Sequence, residues 1–239
     1  MPTVPALVPI LCRTEWANEL KGVTLPNVGV SVWQPAEITA KLLAAAGKSG
    51  KAKPKLLDSK SNSFLFTHWG FSGPAVLDVS RHVAMHPNKN QLDLVCDFLP
   101  ETKMESLIQI LSDKKQASGK QSVNNLLSDY FPKRFAETLI STSGVSLDKK
   151  NAELSKQQLR SIGEQVKLCR FAINGTLEFE KAEVTAGGIS LKEVNGKTME
   201  SKLQPGLFFA GEILDLDGPI GGFNFQAAFS TGWLAGQSI

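Results

Sequence analysis

The stretch Gly206-Leu207-Phe208-Phe209-Ala210-Gly211-Glu212-Ile213-Leu214-Asp215-Leu216-Asp217-Gly218-Pro219-Ile220-Gly221-Gly222-Phe223-Asn224-Phe225-Gln226 decides how this chain reads. Residues 207–210 are short and fully apolar, which predicts a strand. Gly211 and Glu212 form a turn, 213–222 a loop, and a helix follows from Phe223 to about Gln237. Strand, glycine-bearing turn and helix is the order found where a ligand docks on an α/β sheet.

Each residue type in the stretch has a physical use. Gly211 lets the chain leave the strand with no side chain in the way. Glu212 then projects at the strand's carboxyl end, where it accepts hydrogen bonds from hydroxyls. Gly221 and Gly222 bring bare backbone against a planar ligand. The helix that follows aims unsatisfied N–H groups and about half a positive charge at that ligand. Such a site stabilises an anionic ring, as a reduced flavin has. Gly232, Ala235 and Gly236 give the helix a slim face for close packing on a sheet. On these residues alone, a glycine-rich loop that binds nothing stays open beside the ligand reading. Asp215 and Asp217 do not complete an oxygen cage, so no metal is expected there.

Around this stretch the 239 residues read as one large domain or two small ones. With 42% apolar residues and 20 glycines, the composition is that of a globular protein, which excludes global disorder. Cys12, Cys96 and Cys169 are far apart, odd in number and form no CxxC pair. That spacing argues against a disulfide scaffold, a zinc knuckle or a dithiol centre and for reduced, packed thiols. The net charge is +3, distributed as +4 over residues 1–60, +3 over 61–177 and −4 over 178–239. The amino-terminal excess sits in Lys48, Lys51, Lys53, Lys55 and Lys60 with no aromatic residue among them, so it reads as a solvated loop rather than a nucleic-acid site. No apolar run approaches the roughly 20 residues that span a bilayer, and the first residues lack a basic n-region. No membrane partner and a cytoplasmic location are expected.

Strands are expected at 6–11 and 28–33, with a turn at Pro26-Asn27 between them. Residues 35–63 read as weakly structured apart from a short helix at 37–46. A strand at 64–67 leads to a helix from Ser72-Gly73-Pro74 to about His86, with Ser72 as cap and Val76, Leu77, Val79, Val83 and Ala84 on its apolar face. A strand at 92–99 follows. Helices are expected at 101–115, 122–131, 133–141 and 155–168, the last opened by a Ser155/Gln158 capping box. Strands return at 170–173 and 176–179, joined by the hairpin dipeptide Asn174-Gly175. The order divides into a first barrel part (1–99), a helical insert (100–169), return strands (170–197) and a carboxyl-terminal piece (198–239).

Three ordered segments carry a resemblance. They are Pro5-Ala6-Leu7-Val8-Pro9-Ile10, then Phe66-Thr67-His68-Trp69-Gly70-Phe71-Ser72-Gly73-Pro74-Ala75-Val76-Leu77-Asp78-Val79-Ser80, then 182–189 with 198–202 and the glycine stretch. Together they resemble the carboxyl-terminal part of the aminoacetone-oxidase-like family of FAD-dependent oxidoreductases, which includes bile-acid-reductase-like flavoproteins. The resemblance implies an α+β to α/β fold. It comprises a β-barrel-like substrate domain with a helical insert, plus the closing strand–loop–helix of a Rossmann-like FAD-binding domain. It implies that Gly211 and Glu212 serve the ribityl chain, and Gly221, Gly222, Phe223 and Asn224 the flavin ring. The Thr185-Ala186-Gly187-Gly188 turn would lie near the ring or substrate.

The chain departs from that family at one large point. No GxGxxG occurs in its 239 residues, so the amino-terminal half that holds the ADP moiety is not represented. A smaller departure is Asn62-Ser63, where the family has Gly-Glu. The expected activity is hydride transfer between NAD(P)H, FAD and a small organic substrate, with a separate amino-terminal Rossmann half and a truncation both open as the reason for the absent half. The alternative is an inactive fragment or binding module without cofactor. The flavin carries the redox chemistry, so no catalytic residue is assigned. His68 reads as a turn residue, His82 and His86 as surface without a third metal ligand, and Tyr130 as packing. The chain alone is expected to bind FAD poorly and, with an exposed interface, to aggregate.

Overall fold

Alternating buried side chains at Leu25, Val28, Val30, Val32 and Gln34 make one long strand, Thr24–Gln34 (β3). It anchors the sheet in a computed structural model that describes residues 1–45 and 52–239, with 41–45 described by backbone only. Lys48 and Lys51 of the expected lysine loop, and the expected end of the first helix at 46, lie outside the described residues.

The other strands are Val4–Ala6 (β1), Ile10–Leu11 (β2), Lys55–Phe66 (β4), Gly70–Ser72 (β5), Asp93–Asp97 (β6), Cys169–Ala172 (β7), Gly175–Thr176 (β8) and Val184–Ala186 (β9). Seven of them form an antiparallel sheet in the order β7-β6-β3-β4-β5-β2-β8. Its two ends are successive pieces of one stretch, 169–176. Ile173 N donates to Leu92 O and Asn174 N to Leu11 O, so the chain steps from one end of the order to the other. That connection requires the sheet to curl on itself as a barrel does. β1 and β9 pair separately, Val4 opposite Ala186.

Several sequence expectations are corrected. Pro26-Asn27 is not a turn: Pro26 has no N–H for the ladder, and the pair is absorbed as a bulge between Leu25 and Val28. Residues 55–63 are not loop but most of β4, paired along β3. The strand expected at 6–11 is broken at Leu7, whose φ is +48°. Asn174-Gly175 makes no hairpin, because β7 is claimed by β6 and β8 by β2. Residues 207–210 form no strand; Phe208 makes one isolated bridge to Glu200.

The helices are Glu15–Glu19 (α1), Ala36–Ala45 (α2), Pro74–Ala84 (α3), Met104–Ala117 (α4), Lys133–Thr142 (α5), Lys156–Lys167 (α6) and Phe223–Ser238 (α7). In α3 the cap position is Gly73 rather than Ser72, which is used in the β4–β5 pairing. The expected apolar face of α3 is buried. The Ser155/Gln158 box at α6 forms in both directions, at 3.1 Å each. The helix expected at 122–131 is only a 3-10 turn at Val123–Asn125.

Six phenylalanines hold barrel and helices together. Phe64, Phe66 and Phe71 from the sheet meet Phe98 and Phe171, and Phe135 of α5 packs on Phe98 at 4.8 Å and Phe66 at 5.4 Å. Lys167 of α6 is buried and pairs with Asp97 of β6 at 2.6 Å, donating also to Leu99 O. A second, smaller core lies apart from this one. Val194, Met199, Leu214 and Ala235 are its buried members, with Phe208, Phe209 and Leu234 against them. α7 rests on that core through Ala235, and among the described residues no sheet packs on its glycines Gly232 and Gly236. No described helix is long and apolar enough to cross a membrane.

Candidate functional site

A cavity of about 260 Å³ opens where the barrel's first bend meets the glycine stretch. One wall is Leu7 with Glu183, Val184 and Thr185. The other runs from Gly211 and Glu212 through Leu216 and the Ile220–Gly222 turn to Asn224, Phe225, Ala227 and Ala228 of α7.

Local bonding explains both walls. Leu7 takes a left-handed conformation that non-glycine residues rarely adopt. The bend is fixed because Val8 N donates to the buried Ser80 Oγ at 3.0 Å and Glu183 N to Leu7 O at 3.1 Å. On the far wall, Gly211 N donates to Thr231 Oγ1 at 2.9 Å, tying the turn to α7. Asn224 closes the loop on itself: Gly218 N donates to its Oδ1 and its Nδ2 donates to Gly218 O. Gly222 caps α7 with φ +88°, and a Cβ there would meet no atom within 4 Å, so bare backbone faces open space. The first turn of α7 has no acidic side chain, so no carboxylate of the helix itself offsets the positive potential of its N–H groups.

The sequence-predicted residues divide clearly. Gly211, Glu212, Gly221, Gly222 and Asn224 line this one cavity. Phe223 does not; its ring is 58% exposed. Gly187 and Gly188 do not line it either. Their small size answers to chain packing, since a Cβ on Gly187 would collide with Pro2 O and one on Gly188 with Ile213 O. Glu212 does not project from a strand end. Its Oε1 accepts from Thr185 N at 2.6 Å, bridging the two walls.

The other candidates lie elsewhere. His68 is exposed beside Trp69. His82 faces Asp58 at 3.5 Å, while His86 Nδ1 pairs with its own loop at Asn88. Asp217 forms a 2.8 Å ion pair with Arg81; burial pushes its carboxyl up, against the pull of that guanidinium. Tyr130 is half-exposed on a second cleft of the barrel–helix junction. Sequence reasoning missed Leu7, Leu216, Ile220, Phe225 and the Ala227-Ala228 pair. The alanines, one turn past the glycines, were a usable signal for a ligand-facing helix; Leu7 offered none.

The lining suits a ring system with apolar faces and an electron-rich polar edge. Leu7, Leu216, Ile220, Phe225 and the alanines supply the apolar surface, and backbone N–H groups the polar one. Ligand pockets usually span about 300–1,000 Å³. At about 260 Å³ the cavity has room for a ring but not for a whole dinucleotide.

Residues 4–184 match a family model described as the HI0933-like protein barrel and H2TH domain. The chain is 33% identical, over an alignment of 244 positions that takes in all of this chain, to the ribosomal RNA dihydrouridine synthase of Haemophilus influenzae, of which it covers 53%. To the Escherichia coli protein of the same name it is 32% identical over 196 residues, 80% of this chain and 47% of that one. To the 3-dehydro-bile acid delta(4,6)-reductase of Clostridium scindens it is 28% identical over 239 residues, covering 99% of this chain and 54% of that one. The chain thus spans about half the length of the curated relatives it matches.

Proposed function

The chain belongs to the HI0933-like family, and from that membership we propose that it is the barrel and flavin-ring portion of a flavoprotein oxidoreductase. One observation carries the reading: five residues singled out in the sequence, Gly211, Glu212, Gly221, Gly222 and Asn224, line a single ring-sized cavity. Bound there, FAD would supply hydride, accepted from NAD(P)H and passed to substrate. The chain's own residues would do the holding. Leu7, Leu216 and Ile220 keep water from the ring faces. The Gly221-Gly222 backbone and the first turn of α7 favour negative charge at the ring's polar edge. The Glu212 carboxylate accepts from ribityl hydroxyls while Thr185 N fixes its position.

The relatives' names narrow the chemistry. A dihydrouridine is a uridine whose ring alkene has been saturated, and a delta(4,6)-reductase of a 3-dehydro bile acid removes alkenes next to a ketone. Both are reductions of a C=C bond conjugated to a carbonyl. We assign this chain's parent reaction to that class, with RNA and small enones as the two substrate forms to compare.

The adenylate half of FAD needs a partner. α7 exposes Phe225, Phe229 and Trp233, each more than 60%, at i, i+4 and i+8 on one face. That face supports docking of a nucleotide-binding half, on the same or a separate polypeptide. The three free, buried thiols suit a reducing compartment and hence the cytoplasm. The alternative reading is a module that holds no cofactor.

Co-expression with a nucleotide-binding polypeptide of the same locus separates the two. A yellow complex that consumes NAD(P)H with a uridine-containing RNA or an enone is expected. A colourless complex that releases no flavin would overturn the proposal.

A further inference from the structure

The second motif, ending Leu77-Asp78-Val79-Ser80, enters the site so far only through Ser80, yet its end lies on α3 and bonds to both cavity walls. Ile220 N donates to Asp78 Oδ1 at 2.8 Å across 142 residues. One turn on, Arg81 Nη1 meets Asp217 Oδ1 at 2.8 Å, and the Asp217 side chain is only 9% exposed. Between them Ser80 is fully buried; its Oγ donates to Leu77 O and accepts from Val8 N, which fixes the Leu7 bend. Three polar residues within four positions of one barrel helix therefore hold the Ile220 amide, the Leu7 bend and Asp217, and Ile220 and Leu7 both line the cavity.

We propose that Asp78 and Arg81, with Ser80 behind them, are positioning residues that set the width of the ring-binding slot. None of the three lines the cavity. Their action is on the loop 213–222, whose Gly221-Gly222 backbone follows directly on the amide that Asp78 holds. A rigid barrel helix is a better ruler than a loop, because its side chains are locked by packing. Val76, Val79 and Val83 of α3 are all fully buried. Asp78 suits the task, since a carboxylate accepting an amide N–H makes a stronger bond than a neutral acceptor. The claim rests on the flavin reading for its purpose but not for its geometry.

The test uses the whole 239-residue chain and two readouts. The first is amide exchange at residues 218–223 with no ligand. The second is FMN titration followed by backbone amide shifts. In Asp78→Leu, exchange at Ile220 should rise about tenfold, and FMN affinity should fall by a similar factor while the barrel's own exchange stays unchanged. Asp78→Asn keeps an Oδ1 acceptor and should restore most of both. If Asp78→Leu fails to fold, Arg81→Met, at a site 37% exposed, should loosen the same amides. Unchanged exchange at Ile220 in folded Asp78→Leu or Arg81→Met overturns the proposal. So does a loosened loop that leaves FMN affinity intact. Exchange that rises in a chain whose wild type binds no FMN overturns the flavin reading instead and leaves the α3 clamp standing.

Discussion

Glu212 Oε1 accepts a 2.6 Å hydrogen bond from the backbone N–H of Thr185, joining the glycine stretch to the strand that pairs with β1. The contact is exposed, and exposed charged contacts contribute little to stability. Glu212→Ala should leave the urea midpoint nearly unchanged and lower the flavin content of the assembled protein several-fold. Absorbance of the purified complex checks this. A large stability loss with full flavin content would assign Glu212 to the fold alone.

Lys167 and Asp97 behave oppositely. The lysine is 9% exposed and its partner 30%. Removing the carboxylate strands a buried cation, at a cost of about 3 kcal/mol. Removing the lysine leaves a carboxylate that water reaches. Asp97→Ala should therefore lower the urea stability of the chain well below that of Lys167→Met. Equal losses would contradict the buried-cation account.

The three thiols are buried and free. Burial pushes all of them up, Cys169 to about 12. Native chain at mild alkaline pH should react with a thiol reagent only as fast as it unfolds. The sign of the pH effect follows. A folded pKa above the unfolded one gives stability that is complete below about 9 and is lost as pH rises toward about 12, because only the unfolded thiols ionise freely. Denaturant midpoints measured across that window should fall. Fast labelling of Cys96 in folded protein would contradict the packing.

Phe229 and Trp233 stand 71% and 65% exposed on α7, a patch of the kind that marks an interface or an aggregation liability. Phe229→Glu with Trp233→Glu should raise the solubility of the chain without changing its thermal midpoint. The same pair should weaken capture of a nucleotide-binding half. Light scattering and co-purification give the two outcomes. Lost thermal stability would mean that the face is already packed.

Much of the fold was legible where local chemistry and tertiary structure agree. The Ser155/Gln158 box and the valines of α3 are set by a cap and by periodicity within a few residues, and the start of α7 at Phe223 follows the left-handed Gly222. Other features depend on distant partners. Asp58–Ser63 of β4 is polar on both faces and becomes a strand only because β3 offers a ladder. Asn174-Gly175 carries a strong turn signal, overridden when β6 and β2 claim its flanks. The apolar run 207–210 reads as a strand because a short apolar stretch has no diagnostic period; residues 208–210 pack on the small second core instead. Of the site, the glycine side was legible from residue type. The Leu7 side was not, since it depends on a strained leucine whose neighbour Val8 is held by a serine 72 residues away.

The central claim is that the cavity between Leu7 and the Gly221-Gly222 turn takes a flavin ring. The most direct measurement is FMN titration of isotope-labelled chain, followed by amide chemical shifts. The account predicts weak, saturable shifts clustered at residues 184–185, 211–212 and 220–225. No shift at saturating FMN, or shifts confined to the barrel–helix cleft around 98–102, would contradict it.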